Sequence, residues 1–85
     1  MAATVHLLFF AAAREAVGRP RLERAVDGEG IALERLLDEL VQEYPRFGRV
    51  LHASRVVVNG AYLKARDVRV RPGDEVAIHP PYSGG

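Results

Sequence analysis

There is no cysteine among the 85 residues. Disulfides, thiolate metal ligands and a cysteine nucleophile are therefore all excluded, and redox chemistry does not mark the compartment. Lysine is nearly missing as well: Lys64 is the only one, and arginine supplies the rest of the positive charge. An amide-forming modification of a lysine side chain would have a single target. A charge excess of either sign is also lacking, with 12 basic and 11 acidic residues and a net charge of +1. Nucleic-acid binding by phosphate neutralisation asks for a clear basic excess, so it is not expected. No apolar run approaches the roughly 20 residues that span a bilayer. Met1-Ala2-Ala3-Thr4 has no basic residue ahead of the apolar stretch that follows, so neither a membrane segment nor a secretory signal is expected. These absences together predict a cytoplasmic, soluble protein.

Length sets the next bound. One domain fits, and a chain this short buries only about 60–65% of the surface it exposes when unfolded. There is little interior to enclose a cofactor, and none is expected to be bound by this chain. Hydrophobic residues make up 48% of the sequence, the proportion of a folded domain rather than a disordered one.

Thr4 to Phe10 is rich in β-branched and aromatic residues and reads as a strand. Val5, Leu7 and Phe9 fall on one face and His6, Leu8 and Phe10 on the other. Ala11 to Val17 is a short run of helix formers closed by Gly18. Arg21 to Val26 alternates as a second strand, placed at an edge by Pro20 and its charges. Leu33 to Tyr44 repeats its apolar residues at helical spacing, through Leu36, Leu37, Leu40 and Val41, and Pro45 ends the pattern. No Ser, Thr, Asp or Asn caps its start. Arg46 to Ser54 is read as an irregular connector with at most a helical turn near Val50-Leu51. Val56 to Val58 is a short strand turned by Asn59-Gly60. Ala61 to Leu63 is a brief strand behind it, and Pro72-Gly73-Asp74 is a turn leading into a last strand, Glu75 to His79. The order predicts an α+β fold: a mixed sheet of four to five strands with one long helix packed across it.

Few residues offer chemistry. His6, His52 and His79 lack the short spacing of a metal site, and each is read as a partly exposed structural residue. Pairing of the first and last strands would make His6 and His79 neighbours, as a surface pair and no more. Ser54 and Ser83 have no base or acid motif around them. Asp38-Glu39 and Asp74-Glu75 are read as solvated surface, and Gly28 and Gly30 lack the further glycines of a phosphate loop. The outward face of the first strand is more telling. Leu8 and Phe10, joined by Val57 and Ala77, form either an exposed partner patch or a surface covered by the Ala11–Val17 helix or by the connector.

The end of the chain is the most specific feature. Residues 1–79 read as the globular domain and 80–85 as an arm leaving it. Pro80-Pro81 is stiff and extended and aims the arm outward. Six residues at about 3.3 Å each reach roughly 20 Å. Gly84 and Gly85 carry no Cβ, so their backbone can pass close walls, which is what a narrow channel would demand; the bland alternative is a frayed terminus. The α-carboxylate of Gly85 is an anion and a poor electrophile at neutral pH. A partner would have to activate it with ATP as an acyl-adenylate, after which a sulfur nucleophile converts it to a thiocarboxylate.

Taken together, Val5 to Ala11 running into Arg14-Glu15, then Val58-Asn59-Gly60, Pro72-Gly73-Asp74-Glu75-Val76 and the Pro-Pro-containing Gly-Gly end resemble the small subunit of molybdopterin synthase. The resemblance spans nearly the whole chain and implies a ubiquitin-like β-grasp fold. It implies a sulfur carrier in molybdenum cofactor biosynthesis, non-catalytic alone, with the active site on a large subunit. Gly85 would be adenylated by an E1-like enzyme using ATP, then thiocarboxylated from a sulfur donor. Ser83 and Gly84 would thread the large subunit, behind Tyr82 and the two prolines, and sulfur would pass to cyclic pyranopterin monophosphate. Leu8 and Phe10 fall on the family's partner-facing surface. Tyr82 departs from the pattern, which more often has a smaller aliphatic residue there. The same Gly-Gly chemistry serves carriers for thiamin, tRNA or cysteine thiolation and ubiquitin-like conjugation, and a non-catalytic β-grasp binding module is the reading from another class.

Overall fold

The computed structural model describes residues 3–64 and 66–81. The arm expected over 80–85 lies outside the described residues from Tyr82 onward.

Strand β1 (Thr4–Phe9) leads through Phe10 into helix α1 (Ala11–Val17), and β2 (Arg21–Ala25) returns beside β1. A two-residue strand β3 (Ile31–Ala32) precedes α2 (Leu33–Glu43) and α3 (Pro45–His52). Strands β4 (Arg55–Val58), β5 (Ala61–Tyr62), β6 (Arg69–Val70) and β7 (Glu75–His79) complete the order. The main sheet runs β2-β1-β7-β4-β5, and β3 pairs separately with β6. First and last strands lie side by side and parallel at the centre, while the other pairs of the sheet are antiparallel. This is the mixed, ubiquitin-like β-grasp sheet expected from the resemblance, with β2 at an edge as its charges and Pro20 required.

One face of the sheet makes the core. Val5, Leu7 and Phe9 from β1, Val56 from β4, and Val76 and Ile78 from β7 meet Leu33, Leu36, Leu37 and Leu40 of α2. Removing a leucine side chain from water is worth about 2 kcal/mol, so the four α2 leucines hold the helix on the sheet far more firmly than helix propensity does. Phe47 of α3 meets Phe9 edge-on, with ring centroids 5.6 Å apart. Ala13 and Val17 of α1 join the same core.

Two sequence expectations change here. The long helix is present as α2, but it is not the sole helix: with α1, expected as a short run of helix formers, and α3, the described residues hold three. The stretch read as an irregular connector is α3, a two-turn helix whose Phe47 and Leu51 are buried one turn apart. Pro45 stops α2 because it lacks an N–H, and the same residue starts α3, where a missing N–H and a fixed φ cost nothing. Gly48 allows the close approach, since a Cβ there would sit 3.0 Å from a methyl of Val41 on α2. The uncapped start of α2 is satisfied by tertiary structure: the Leu33 N–H donates to the Val68 carbonyl at 2.8 Å. Gly30, at φ +85°, is required next to β3, because a Cβ would lie 2.0 Å from the Val70 oxygen.

Among the described residues, no helix is long and apolar enough to cross a membrane.

Candidate functional site

The sheet's other face is read from its register. Leu8 opposes Ala77, Ala77 opposes Val57, and Val57 opposes Tyr62, which sets an apolar row across β1, β7, β4 and β5. Leu8 and Val57 are half-buried, Ala77 is enclosed between them, and Tyr62 is exposed. The buried residues of α1 point into the core on the opposite face, so α1 does not cover this row. On either side of the row the chemistry differs sharply.

On the side where β7 begins, polar groups are tied together. The Asn59 amide donates to one Asp74 carboxylate oxygen at 3.1 Å, and the Arg71 backbone N–H donates to the other at 2.8 Å. The Glu75 N–H donates to the Asn59 side-chain oxygen at 2.9 Å, and the Asn59 N–H to the Glu75 carbonyl at 2.8 Å. Asn59 holds φ +50° and Gly60 φ +84°, the paired positive values of a tight hairpin turn. The Arg71 N–H, and after it the Asn59 amide, hold the Asp74 carboxyl below its ordinary value. The Asn-Gly and Pro-Gly-Asp-Glu segments are thus one clasp, and their role is to join the β4–β5 hairpin to the start of β7.

On the side where β7 ends, the side chains are open. Phe10 is 43% exposed. It is not on the strand but at the junction into α1, with its ring stacked on His79 at 4.5 Å and an interplanar angle of 11°. Ala11 follows at φ +48°, an uncommon value for alanine that turns the chain sharply out of β1. Arg55 sits opposite His79 in the register and holds its guanidinium 5.4 Å from the centre of the Tyr62 ring. Two grooves border Pro80-Pro81. One, of about 790 Å³, runs between Phe10, Arg14 and Val50. The other, of about 590 Å³, runs between Arg55, Val57 and Tyr62, and both share His79 and Ala53.

The structure therefore brings Leu8, Phe10, Val57 and Ala77 to one face, with Pro80 and Pro81 leaving at its open end. Tyr82, Ser83, Gly84 and Gly85 lie outside the described residues. It separates the histidines. His6 pairs in register with Glu75, with its Nδ1 3.1 Å from a Glu23 carboxylate oxygen, whereas His79 lies at the far end of the parallel strand pair. His6 and His79 are not neighbours, and the described residues contain no group of three potential metal ligands. Sequence reasoning does not point to Tyr62 or Arg55, and it takes His79 as merely structural. For His79 a signal exists: it continues the alternation Glu75, Ala77, His79 that faces outward.

Comparison with known proteins places this geometry. The molybdopterin synthase sulfur carrier subunit of Chlamydomonas reinhardtii is 33% identical over 82 residues, covering 95% of this chain and 98% of that protein. Further curated relatives, from 29 to 36% identical, carry the same name. The crystal structure of SAMP1 from Haloferax volcanii superposes with a TM-score of 0.78 at 30% identity, over 96% of this chain and 99% of that one. A subunit in the protein–protein complex of subunits 1 and 2 of molybdopterin-converting factor from Helicobacter pylori shares the fold, with a TM-score of 0.66 at 17% identity, over 96% and 99% of the two chains. The ThiS family profile matches residues 7–85, nearly the whole sequence and the Gly-Gly end with it, and the chain belongs to the ThiS family.

Proposed function

We propose that this protein is the sulfur carrier subunit of molybdopterin synthase, a cytoplasmic protein that works through its C-terminus. The observation that carries the reading is the run of curated relatives bearing that name, aligned over 93 to 95% of the chain. Two features support it physically. Pro80-Pro81 follows directly on the central strand β7, so the arm is anchored in the most firmly held part of the sheet. Phe10 and the Leu8–Ala77–Val57 row offer an apolar surface beside that exit, the kind of surface that a partner covers.

In this reading an E1-like enzyme joins the Gly85 carboxylate to the α-phosphate of ATP, releasing pyrophosphate. Hydrosulfide from a donor then attacks the acyl carbon, displaces AMP and leaves a thiocarboxylate. The large subunit receives residues 80–85 as a threading arm, and its own groups complete the transfer of sulfur to cyclic pyranopterin monophosphate. The carrier contributes reach, a backbone narrow enough to enter, and a docking face containing Leu8 and Phe10. Removing Gly85, or adding one residue after it, is expected to abolish molybdopterin formation by the reconstituted synthase while leaving the circular dichroism spectrum unchanged. Undiminished product from either variant would refute the proposal.

A second reading uses the same activated end. A structural neighbour, 28% identical, bears the name small archaeal modifier protein 1, of Haloferax volcanii, and the alternative is that the activated Gly85 forms an amide with another protein in the manner of ubiquitin. Conjugates that survive thiol reduction in cells expressing the full chain, without complementation of molybdopterin synthesis, would favour it.

A further inference from the structure

The net charge of +1 conceals a strong segregation. Between Tyr44 and Arg66 the chain carries five cationic residues and no carboxylate, whereas Asp27 to Glu43 carries six carboxylates against Arg35 alone. The cationic stretch includes α3, where Phe47 and Leu51 turn inward and Arg46 and Arg49 stand exposed on the opposite side. Val50 and Ala53 line the groove beside Pro80-Pro81, which brings the C-terminal end of this segment to the tail exit, with the exposed Arg49 next to Val50 in sequence and outside the groove lining itself. Arg14 of α1 lines that groove as well, and Arg55 lines the second. Among the described residues, the ion pairs of arginine are Arg24–Glu43 and Arg35–Glu39, and neither is at this end. Glu15 is the single carboxylate lining either groove.

We propose that Arg14, Arg49 and Arg55 form a cationic collar around the tail exit, which draws the carrier onto a protein partner whose tail-accepting opening is rimmed by carboxylates. The proposal rests on the carrier function above and names the chemistry of the surface that receives the arm. The collar surrounds an apolar centre, Phe10 with Leu8 and Val57, and an interface with an apolar middle and a charged rim is the usual protein–protein arrangement. A nucleic acid would meet the arginines with its phosphates and leave the Leu8–Ala77–Val57 row uncovered. Exposed ion pairs add little to affinity, so the collar acts mainly on the rate and orientation of encounter. That suits a carrier that must find an activating enzyme, leave it, and find a second partner.

The test is the association rate of the full chain with the large synthase subunit of the same organism, followed by stopped flow from about 0.05 to 0.5 M salt. For the natural sequence the rate is expected to fall by about tenfold across this range. The double variant Arg49→Glu, Arg55→Glu is expected to start roughly tenfold slower and to lose most of the salt dependence. Arg49→Gln with Arg55→Gln should fall between them, and Arg69→Glu, on the small β3–β6 ribbon, should keep the natural slope. A rate indifferent to salt, or a double variant with an unchanged slope, would overturn the collar while leaving the carrier function standing. Failure of the natural chain to bind the large subunit at any salt would overturn the carrier reading itself, and the collar with it. Tighter binding to a single-stranded RNA oligonucleotide than to the large subunit, removed by the same charge reversals, would assign the collar to nucleic acid instead.

Discussion

The two ends of strand β7 are built on opposite principles. At Glu75 the backbone and the side chains of Asn59 and Asp74 saturate one another with hydrogen bonds. At His79, the other end of the strand, an exposed aromatic stack, an arginine over a tyrosine ring and two open grooves surround the chain as it leaves. One end uses its polar groups to hold the fold, and the other keeps its side chains free for something outside. The difference teaches where function is to be sought. The Asn-Gly and Pro-Gly-Asp-Glu segments are the most recognisable motifs inside the chain, yet their geometry accounts for them as structure. The end without a recognisable motif before Pro80 is the one available to a partner.

The comparison breaks if changes at the open end unfold the protein or changes at the clasp abolish binding. The largest effect is expected from Phe10→Asp, which puts a charge in the centre of the apolar surface. Affinity for the large subunit should fall at least tenfold, roughly as for a central hot-spot residue, with the melting temperature nearly unchanged. Loss of the folded state instead would make Phe10 a core residue. At the clasp, Asp74→Ala is expected to destabilise the fold by about 1–2 kcal/mol, because two hydrogen bonds to a carboxylate are lost at a half-buried position. Binding to the large subunit should stay within about twofold, a difference of a few tenths of a kcal/mol. The sign with pH follows from the lowered Asp74 pKa. Its contribution is complete above the ordinary value of 3.8 and disappears as pH falls through the lower, folded value. Denaturant titrations of the two proteins should therefore differ at neutral pH and converge in strong acid. The smallest effect belongs to Arg55→Gln, where an exposed cation–π contact is worth about 0.5 kcal/mol. A stability loss several times larger would mean that the open end is also a fastening.

Much of the fold is legible in the amino-acid sequence. The apolar spacing of α2, the alternation of β1 and the Pro-Gly-Asp turn into β7 each carry a local signal that tertiary packing reinforces. Helix α3 is hidden because Pro45 reads first as an ending, and because two buried side chains, Phe47 and Leu51, are too few for a period to show. Strand β3 is hidden because its two residues exist as a strand only through pairing with Val70 and Arg69 of β6, far along the chain. The clasp is not legible either, since Asn59 and Asp74 are brought together by the sheet and not by spacing. For the candidate site, the outward placement of Leu8 follows from the period of two, and Phe10 extends that face at the junction into α1. The outward placement of His79 follows from the same period, but its flanking by Arg55 and Tyr62 requires the strand order, which no single stretch of sequence contains.

The central claim is that the Gly85 carboxylate is the working group of the molecule. Incubating the full chain with the E1-like enzyme of the same organism, ATP and a sulfur donor, followed by intact-mass and C-terminal peptide mass spectrometry, tests it most directly. The expected result is replacement of one oxygen by sulfur, confined to Gly85 and absent from a chain extended by one residue. A mass unchanged under conditions in which the enzyme loads its own authentic carrier, or sulfur found elsewhere on the chain, would contradict it.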